Sequence, residues 1–308
     1  MSAHSILPAT QKRKQWYKDG FTIFLFLLPA LAVYCTYTLT GIVRTFYFSA
    51  YNWSGIGPAS RATFIGMGNY VQLMGDGRFW HAFSNNILLV FISLIFQLGF
   101  GMILALILNT GMRGVKLLRT VYFMPLLLST VATGTIWLLM LAPITGLFDW
   151  VLHVISPDVP LSWLGSEEVV MFAVLFVICW QFIPQYMILI RAGMTGIPED
   201  LYEAATIDGA SRWQQFWSMT LPLLSGTLKT SAVLSIVGSL KFFDLVWIMT
   251  LGGPNGYSEL MATLMYKVAF NENRMGYASA IAGCMIIISF MAIVIFRVVT
   301  RSSKEGDR

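Results

Sequence analysis

The sequence predicts an all-α, polytopic membrane protein, and three observations carry that prediction. Of its 308 residues, 56% are hydrophobic and 11% are charged, where a soluble domain carries about 25% charged residues. Mean hydropathy is +0.69. Six stretches are apolar over the ~20 residues that a bilayer-crossing helix needs, and basic residues gather at their ends. The net charge of +5 raises nucleic acid as a partner. No face or tail pools that charge, so nucleic acid is rejected.

The apolar stretches cover about 21–43, 85–108, 118–141, 169–190, 224–250 and 277–297. The fifth is the least clean, because Lys241 and Asp244 interrupt it. Orientation follows from the basic residues. With the N-terminus in the cytosol, the inside holds Lys12, Arg13, Lys14, Lys18, Arg113, Lys116, Arg119, Arg191, Arg212, Lys229, Arg297, Arg301, Lys304 and Arg308. The outside holds Arg44, Arg61, Arg78, Lys267 and Arg274. The loop between the third and fourth stretches has no Lys or Arg and carries Asp149, Asp158, Glu167 and Glu168 instead. The expected topology is six spans with both termini inside, within one transmembrane domain over 1–308. The first stretch has a signal-peptide look, with basic residues, the apolar run Phe21–Leu28 and the small Ala30 and Ala32. Its apolar character continues to Val43, long enough to span.

Residues 44–84 hold Trp53, Phe64, Tyr70, Phe79 and Trp80 among Gly and Ser. An aromatic belt at headgroup level over an interfacial helix near 69–75 is favoured over a ligand cage. Cys35, Cys179 and Cys284 each lie in an apolar run, far apart, and are expected as buried structural thiols. His4, His81 and His153 are scattered and suggest no zinc cluster. The chain has no Gly-Lys dipeptide, hence no P-loop to hold nucleotide phosphates.

The loop at 191–223 is polar enough to leave the bilayer, yet rich in large apolar residues. Pro198 suits a helix start, and Glu199 and Asp200 favour its positive end. Leu201, Ala204 and Ala205 recur at helical spacing. Gly209 can end that helix in a left-handed conformation. Ser211 with Gln214 is a capping-box pattern for a second short helix, which puts Trp213, Phe216 and Trp217 on one face. Such a patch marks an interface, or it lies on the bilayer or the protein's own spans. A bilayer-surface helix carries a basic polar face. This one has four acids and a single Arg, Arg212, which favours a protein partner.

Polar residues inside spans face a bundle interior or a water-filled cavity. The fourth stretch offers Gln181 and Gln185 on one face around Pro184. The fifth offers Ser239, Lys241 and Asp244, the last two placed for a local pair. Phe182, Phe242 and Phe243 add aromatic faces.

The run Glu203-Ala204-Ala205, then Gly209, then Leu221-Pro222 resembles the EAA loop of ABC importer permeases. Met219 stands where the family has Ile. Asn52-Trp53, Gly66-x-Gly-Asn69-Tyr70, Arg78-Phe79-Trp80, Leu118-Arg119 with Pro125, Thr250-Leu251-Gly252-Gly253-Pro254 and Gly276-Tyr277-Ala278-x-Ala280 resemble the maltose-type, carbohydrate-uptake branch. The resemblance implies an inner-membrane permease subunit that is not itself an enzyme. It implies a second permease chain, two ATPase subunits that hold ATP and Mg, an extracytoplasmic sugar-binding protein and surrounding lipid. Leu201, Glu203, Ala204, Ala205, Asp208, Gly209, Trp213, Leu221 and Pro222 would couple to the ATPase. The family's sugar-lining positions fall on or near Leu126, Thr130, Gln181, Phe182, Gln185, Ser239 and Phe242. Lys241 and Asp244 join this substrate path on the polar-residue argument above. Alternatives are an importer of glycerol phosphate or a polyol, an ion-coupled carrier acting alone, and a membrane scaffold that transports nothing.

Overall fold

The computed structural model describes residues 20–110, 112–155 and 162–302. The basic residues Lys12, Arg13, Lys14, Lys18, Lys304 and Arg308, with His4 and Asp158, lie outside the described residues. The chain divides into two units, Met1–Tyr47 and Phe48–Arg308.

The described residues of the first unit form one helix, α1, which runs on to residue 49 just past the division. It covers Gly20–Tyr34, a π turn at Cys35–Leu39 and Thr40–Ser49. Ile23–Ser49 is long and apolar enough to cross a bilayer. Cys35, expected to be buried, is exposed on α1. In an apolar run of this kind lipid can supply the cover that a protein core would otherwise give.

The second unit opens with a short antiparallel pair, β1 Tyr51–Asn52 against β2 Thr63–Phe64. The helix expected near 69–75 is present as α2, Gly68–Gly75. The Asn69 side chain donates to the Ser49 and Tyr51 carbonyls at 2.8 and 2.9 Å and pins α2 to the strand.

Helix α3, Gly77–Leu108, begins eight residues before the apolar run at 85. Hydropathy marks the membrane section, whereas the helix starts where Asp76 accepts the Arg78 backbone N–H at 2.9 Å. The stretch at 118–141 was expected as one span. It is two helices, α4 Val115–Leu127 and α5 Thr130–Met140, bent by 98°. Leu128 and Ser129 between them are extended, with ψ of 139° and 138°. Pro125 lacks the N–H that would bond the preceding turn, so the end of α4 is weak where the chain turns out. α6 follows at Leu147–Ile155.

Helix α7, Val170–Met194, is the most buried of the long apolar helices. It packs against the second half of α3, where Gly101 has no side chain to keep the backbones apart. A Cβ there would sit 3.1 Å from the Met187 backbone nitrogen. In lipid, where apolar surface alone gives little drive, such close packing carries helix association. Beyond α7 come α8 Glu199–Ile207, α9 Arg212–Leu223 and α10 Ser225–Leu240. α9 and α10 meet at 66°.

The fifth stretch, 224–250, is also broken. α10 stops at Leu240, and α11 restarts at Asp244–Thr250. Lys241 and Asp244 sit on either side of the break, both exposed. Among the described residues they form no ion pair, so the expected local pair is absent. Three residues bring side chains together only within an unbroken helix. α12, Met261–Tyr266, runs into a π turn at Lys267–Asn271, and α13 covers Met275–Ser302. The described residues thus hold four helices able to cross a membrane, or six if each bent pair counts as one span.

Among the described residues, three buried clusters hold the second unit. One joins α2, α3, α10, α12 and α13 through Leu73, Phe79, Leu240, Leu264 and Ile281. Another joins α3, α5, α7 and α11 through Leu89, Trp137, Val174 and Leu245. The third joins α3 and α7 to the base of α10 through Leu108, Ile190 and Leu224.

Candidate functional site

The 191–223 loop is built by local signals. Pro198 is the N-cap of α8, one residue earlier than the first helical position, and Glu199 and Asp200 occupy the first turn. Gly209 takes φ +79°. Its N–H donates to the Thr206 carbonyl at 3.1 Å, and the Ala210 N–H donates to the Ala205 carbonyl at 2.9 Å. Those two bonds make a Schellman ending, which satisfies carbonyls that a helix end otherwise leaves unpaired. A Cβ on Gly209 would meet nothing within 4 Å. The glycine is therefore required by its backbone conformation and not by crowding.

Ser211 then starts α9 with the complete capping box. Its hydroxyl accepts from the Gln214 N–H at 3.4 Å, and its own N–H donates to Gln214 Oε1 at 2.8 Å. The rings of Trp213, Phe216 and Trp217 form one cluster, with centroids 5.3 to 6.2 Å apart. Trp213 is 69% exposed, Trp217 50% and Ile207 86%. Leu201, Glu203, Ala204, Asp208 and Pro222 are also exposed, while Ala205 and Leu221 are half-buried. The loop thus presents an apolar, aromatic surface edged by acids. An open groove of about 1320 Å³ runs beside it, lined in part by Leu106, Met194, Tyr202, Glu203 and Phe216.

Three polar contacts were not expected from the sequence. Gln215 is buried and donates to Thr206 Oγ1 at 3.0 Å and to the Ala210 carbonyl at 3.2 Å. Tyr202 and Thr220 share a hydrogen bond of 2.9 Å. These bonds fold α9 back on α8 and make the two helices one body. A Gln set between Trp213 and Phe216 was the available signal.

The candidate path residues fall into three groups. Phe182 on α7 and Phe242 in the break meet edge-on at 5.8 Å, so the structure does bring these two segments together. Leu126, Thr130 and Gln185 are half-buried on α4, α5 and α7. Gln181 and Ser239 are buried, and Gln181 Nε2 reaches the Leu128 carbonyl at 3.4 Å. Gln181 therefore braces the bend between α4 and α5. Lys241 and Asp244 are exposed. Asn86, which sequence reasoning passed over, holds the end of α10 through the Ser239 and Leu240 carbonyls, and its neighbour Asn85 holds the loop carbonyls of Tyr257 and Glu259. Two adjacent amides opening an apolar run were the signal.

Comparison with known proteins gives these features a family. A model described as binding-protein-dependent transport system inner membrane component matches residues 97–305. The probable ABC transporter permease protein YurN of Bacillus subtilis is 36% identical, over 86% of this chain and 91% of that one. The trehalose/maltose transport system permease protein MalF of Thermococcus litoralis is 31% identical, over 92% of this chain and 93% of that one. In fold, the chain is similar to one in a crystal structure of a bacterial alginate ABC transporter in complex with alginate pentasaccharide-bound periplasmic protein. There the TM-score is 0.81 at 21% identity, over 94% of this chain and 97% of that one. With helices long enough to cross a bilayer and a model match over two thirds of its length, the chain belongs to the binding-protein-dependent transport system inner membrane components.

Proposed function

We propose that this chain is the membrane-spanning subunit of an ATP-driven sugar importer. The observation that carries the proposal is the aromatic knob at 197–222, exposed and built around Gly209. Trp213 and Trp217 would enter a cleft on a separate ATPase subunit, which would hold ATP and Mg. Two ATPase copies, a second permease chain and an extracytoplasmic binding protein complete the assembly. As the ATPases close, the knob transmits their motion and the spans rock about the path. The sugar class follows from the outer-loop and Gly-Gly-Pro resemblance, supported by a relative named for trehalose and maltose.

Six spans with both termini in the cytosol suit this reading. Lys229 at the base of α10 donates to the Thr300 carbonyl near the end of α13 at 2.7 Å, so those two ends share a side. At the start of α3, Arg78 pairs with Glu272 at 2.7 Å, which puts the start of α13 on the side where α3 begins. The end that carries Lys229, Arg297 and Arg301 is then the inner one under the positive-inside rule, and Arg78 and Glu272 lie at the outer one. Phe182, Gln185 and Phe242, with Leu126, Thr130, Lys241 and Asp244, would line the path, and Gln181 and Ser239 would support it.

The test is uptake of labelled maltose and trehalose by a strain lacking this chain, complemented with wild type or with Trp213→Asp. Co-purification of the ATPase is followed in parallel. Wild type should restore uptake and retain the ATPase, and Trp213→Asp should lose both while still inserting in the membrane. Retention of the ATPase by Trp213→Asp would overturn the docking role. Restored uptake without any ATPase would overturn ATP coupling.

A further inference from the structure

We propose that Asn86 is a positioning residue for the translocation path, setting which side chains of 241–244 face it by holding the break between α10 and α11. The proposal rests on the reading of that break as path-lining.

No residue at the break stops α10 by itself. Ser239, Leu240, Lys241, Phe242 and Phe243 include no proline, and none of them excludes helix. A helix that stops leaves carbonyls without partners, and this is expensive where water is scarce. Asn86 lies about 14 Å along α3 from Gly77 at 1.5 Å per residue and is 0% exposed. Its Nδ2 donates to the Ser239 carbonyl at 2.8 Å and to the Leu240 carbonyl at 3.3 Å. Its Oδ1 accepts the Met261 N–H at 2.9 Å. Carbonyls cannot donate and an N–H cannot accept, so this network admits one orientation of the amide. One side chain thus closes the end of α10 and the first turn of α12.

Asn85 does the same for the loop between them. Its Nδ2 donates to the Tyr257 carbonyl at 2.8 Å and the Glu259 carbonyl at 2.9 Å. Together the two amides anchor four carbonyls and one N–H of the 239–261 segment on α3. If α10 ran on through 244, Phe242 would leave its contact with Phe182, and Lys241 and Asp244 would turn onto one face. The break keeps Phe242 against Phe182 and leaves Lys241 and Asp244 exposed apart from each other.

The experiment uses the full chain in its assembled transporter, with Cys35, Cys179 and Cys284 replaced by alanine. Single cysteines at Lys241, Phe242 and Asp244 are probed with a membrane-impermeant maleimide, with Asn86 intact and in Asn86→Leu. A cysteine at Ser60, exposed in the outer loop between β1 and β2, reports on a distant segment. With Asn86 intact, Lys241→Cys and Asp244→Cys should label and Phe242→Cys should label least. In Asn86→Leu this order should change at least about threefold, while labelling at Ser60→Cys holds. Asn86→Ser, which keeps one hydroxyl for bonding and perturbs packing less, should shift in the same direction by a smaller factor. It also replaces Asn86→Leu should that variant fail to assemble. An unchanged order in an assembled Asn86 variant would overturn the positioning role and leave the path reading standing. No labelling at any of the three sites with Asn86 intact would overturn the path reading and this proposal with it.

Discussion

Two interruptions shape this helical protein, the loop at 197–222 and the break at 240–244, and they are made in opposite ways. The loop is written in its own residues. Pro198, Glu199, Gly209 and the Ser211–Gln214 box start, stop and restart its helices within one short segment. The break has no such residues. It is imposed by Asn86, more than 150 positions away along the chain. An interruption of the first kind survives changes elsewhere in the molecule. One of the second kind is open to adjustment by a motion of α3, which suits the proposed place of this segment beside a path that opens and closes.

The sharpest way to break this comparison is at Gly209. Its φ of +79° with open space around it separates backbone strain from crowding. A β-branched residue there costs about 1–3 kcal/mol, enough to tilt the loop out of its Schellman ending. Gly209→Val should reduce uptake at least about tenfold, with membrane insertion unchanged. Gly209→Asn, which tolerates the left-handed region, should retain about half of wild-type uptake. Equal loss in both variants would mean that crowding by a partner, and not the local turn, dictates glycine.

The same contrast explains what could be read in advance. The α8 and α9 helices, their cap and the exposed aromatics follow from nearest-neighbour chemistry, and the sequence shows them. Five of the six apolar stretches coincide with helices, or with the bent pair α4 and α5, because hydropathy is a local property. The bend at Leu128 and the stop at Leu240 were not legible. Pro125 weakens the end of α4 but does not set the bend, which is held by Gln181 reaching the Leu128 carbonyl, and the stop at Leu240 is held by Asn86 reaching the Ser239 carbonyl across helices. The expected Lys241–Asp244 pair failed for the same reason, since it assumed that the helix continued. The path residues inherit this difficulty. Gln181, chosen for polarity, is buried as a brace and Ser239 is buried at the end of α10, while Phe182 and Phe242 do meet.

A second prediction tests whether the loop is as self-contained as its local signals suggest. Gln215 ties α9 to α8 through Thr206 and Ala210, nine and five residues away. Gln215→Leu keeps the volume and removes both bonds, at a cost of about 1–3 kcal/mol for the groups left unpaired. Uptake should fall severalfold, less than for Gly209→Val, and limited proteolysis should find the loop cut sooner. Faster cutting with normal uptake would show that a partner restores the fold of the loop on docking.

The smallest effect belongs to Asp76, where local and remote bonds meet in one side chain. It caps α3 through the Arg78 N–H, and it also accepts the Tyr277 hydroxyl at 2.8 Å from the start of α13. Burial pushes its carboxyl up. The bonds from Tyr277 and from the Arg78 backbone, with the Arg78 charge, outweigh that and hold it below the usual carboxylate range. A depressed folded value means that its stabilisation is present above the unfolded value and is lost as pH falls through the folded one. Asp76→Ser keeps the local cap and removes the charge. Its melting temperature in detergent should lie at most about 2 °C below wild type at pH 7. That gap should close as pH drops below about 4, the ordinary aspartate value. A gap that stays constant with pH would assign the stabilisation to the shape of the cap alone, and would make this corner of the molecule as locally written as the loop at 197–222.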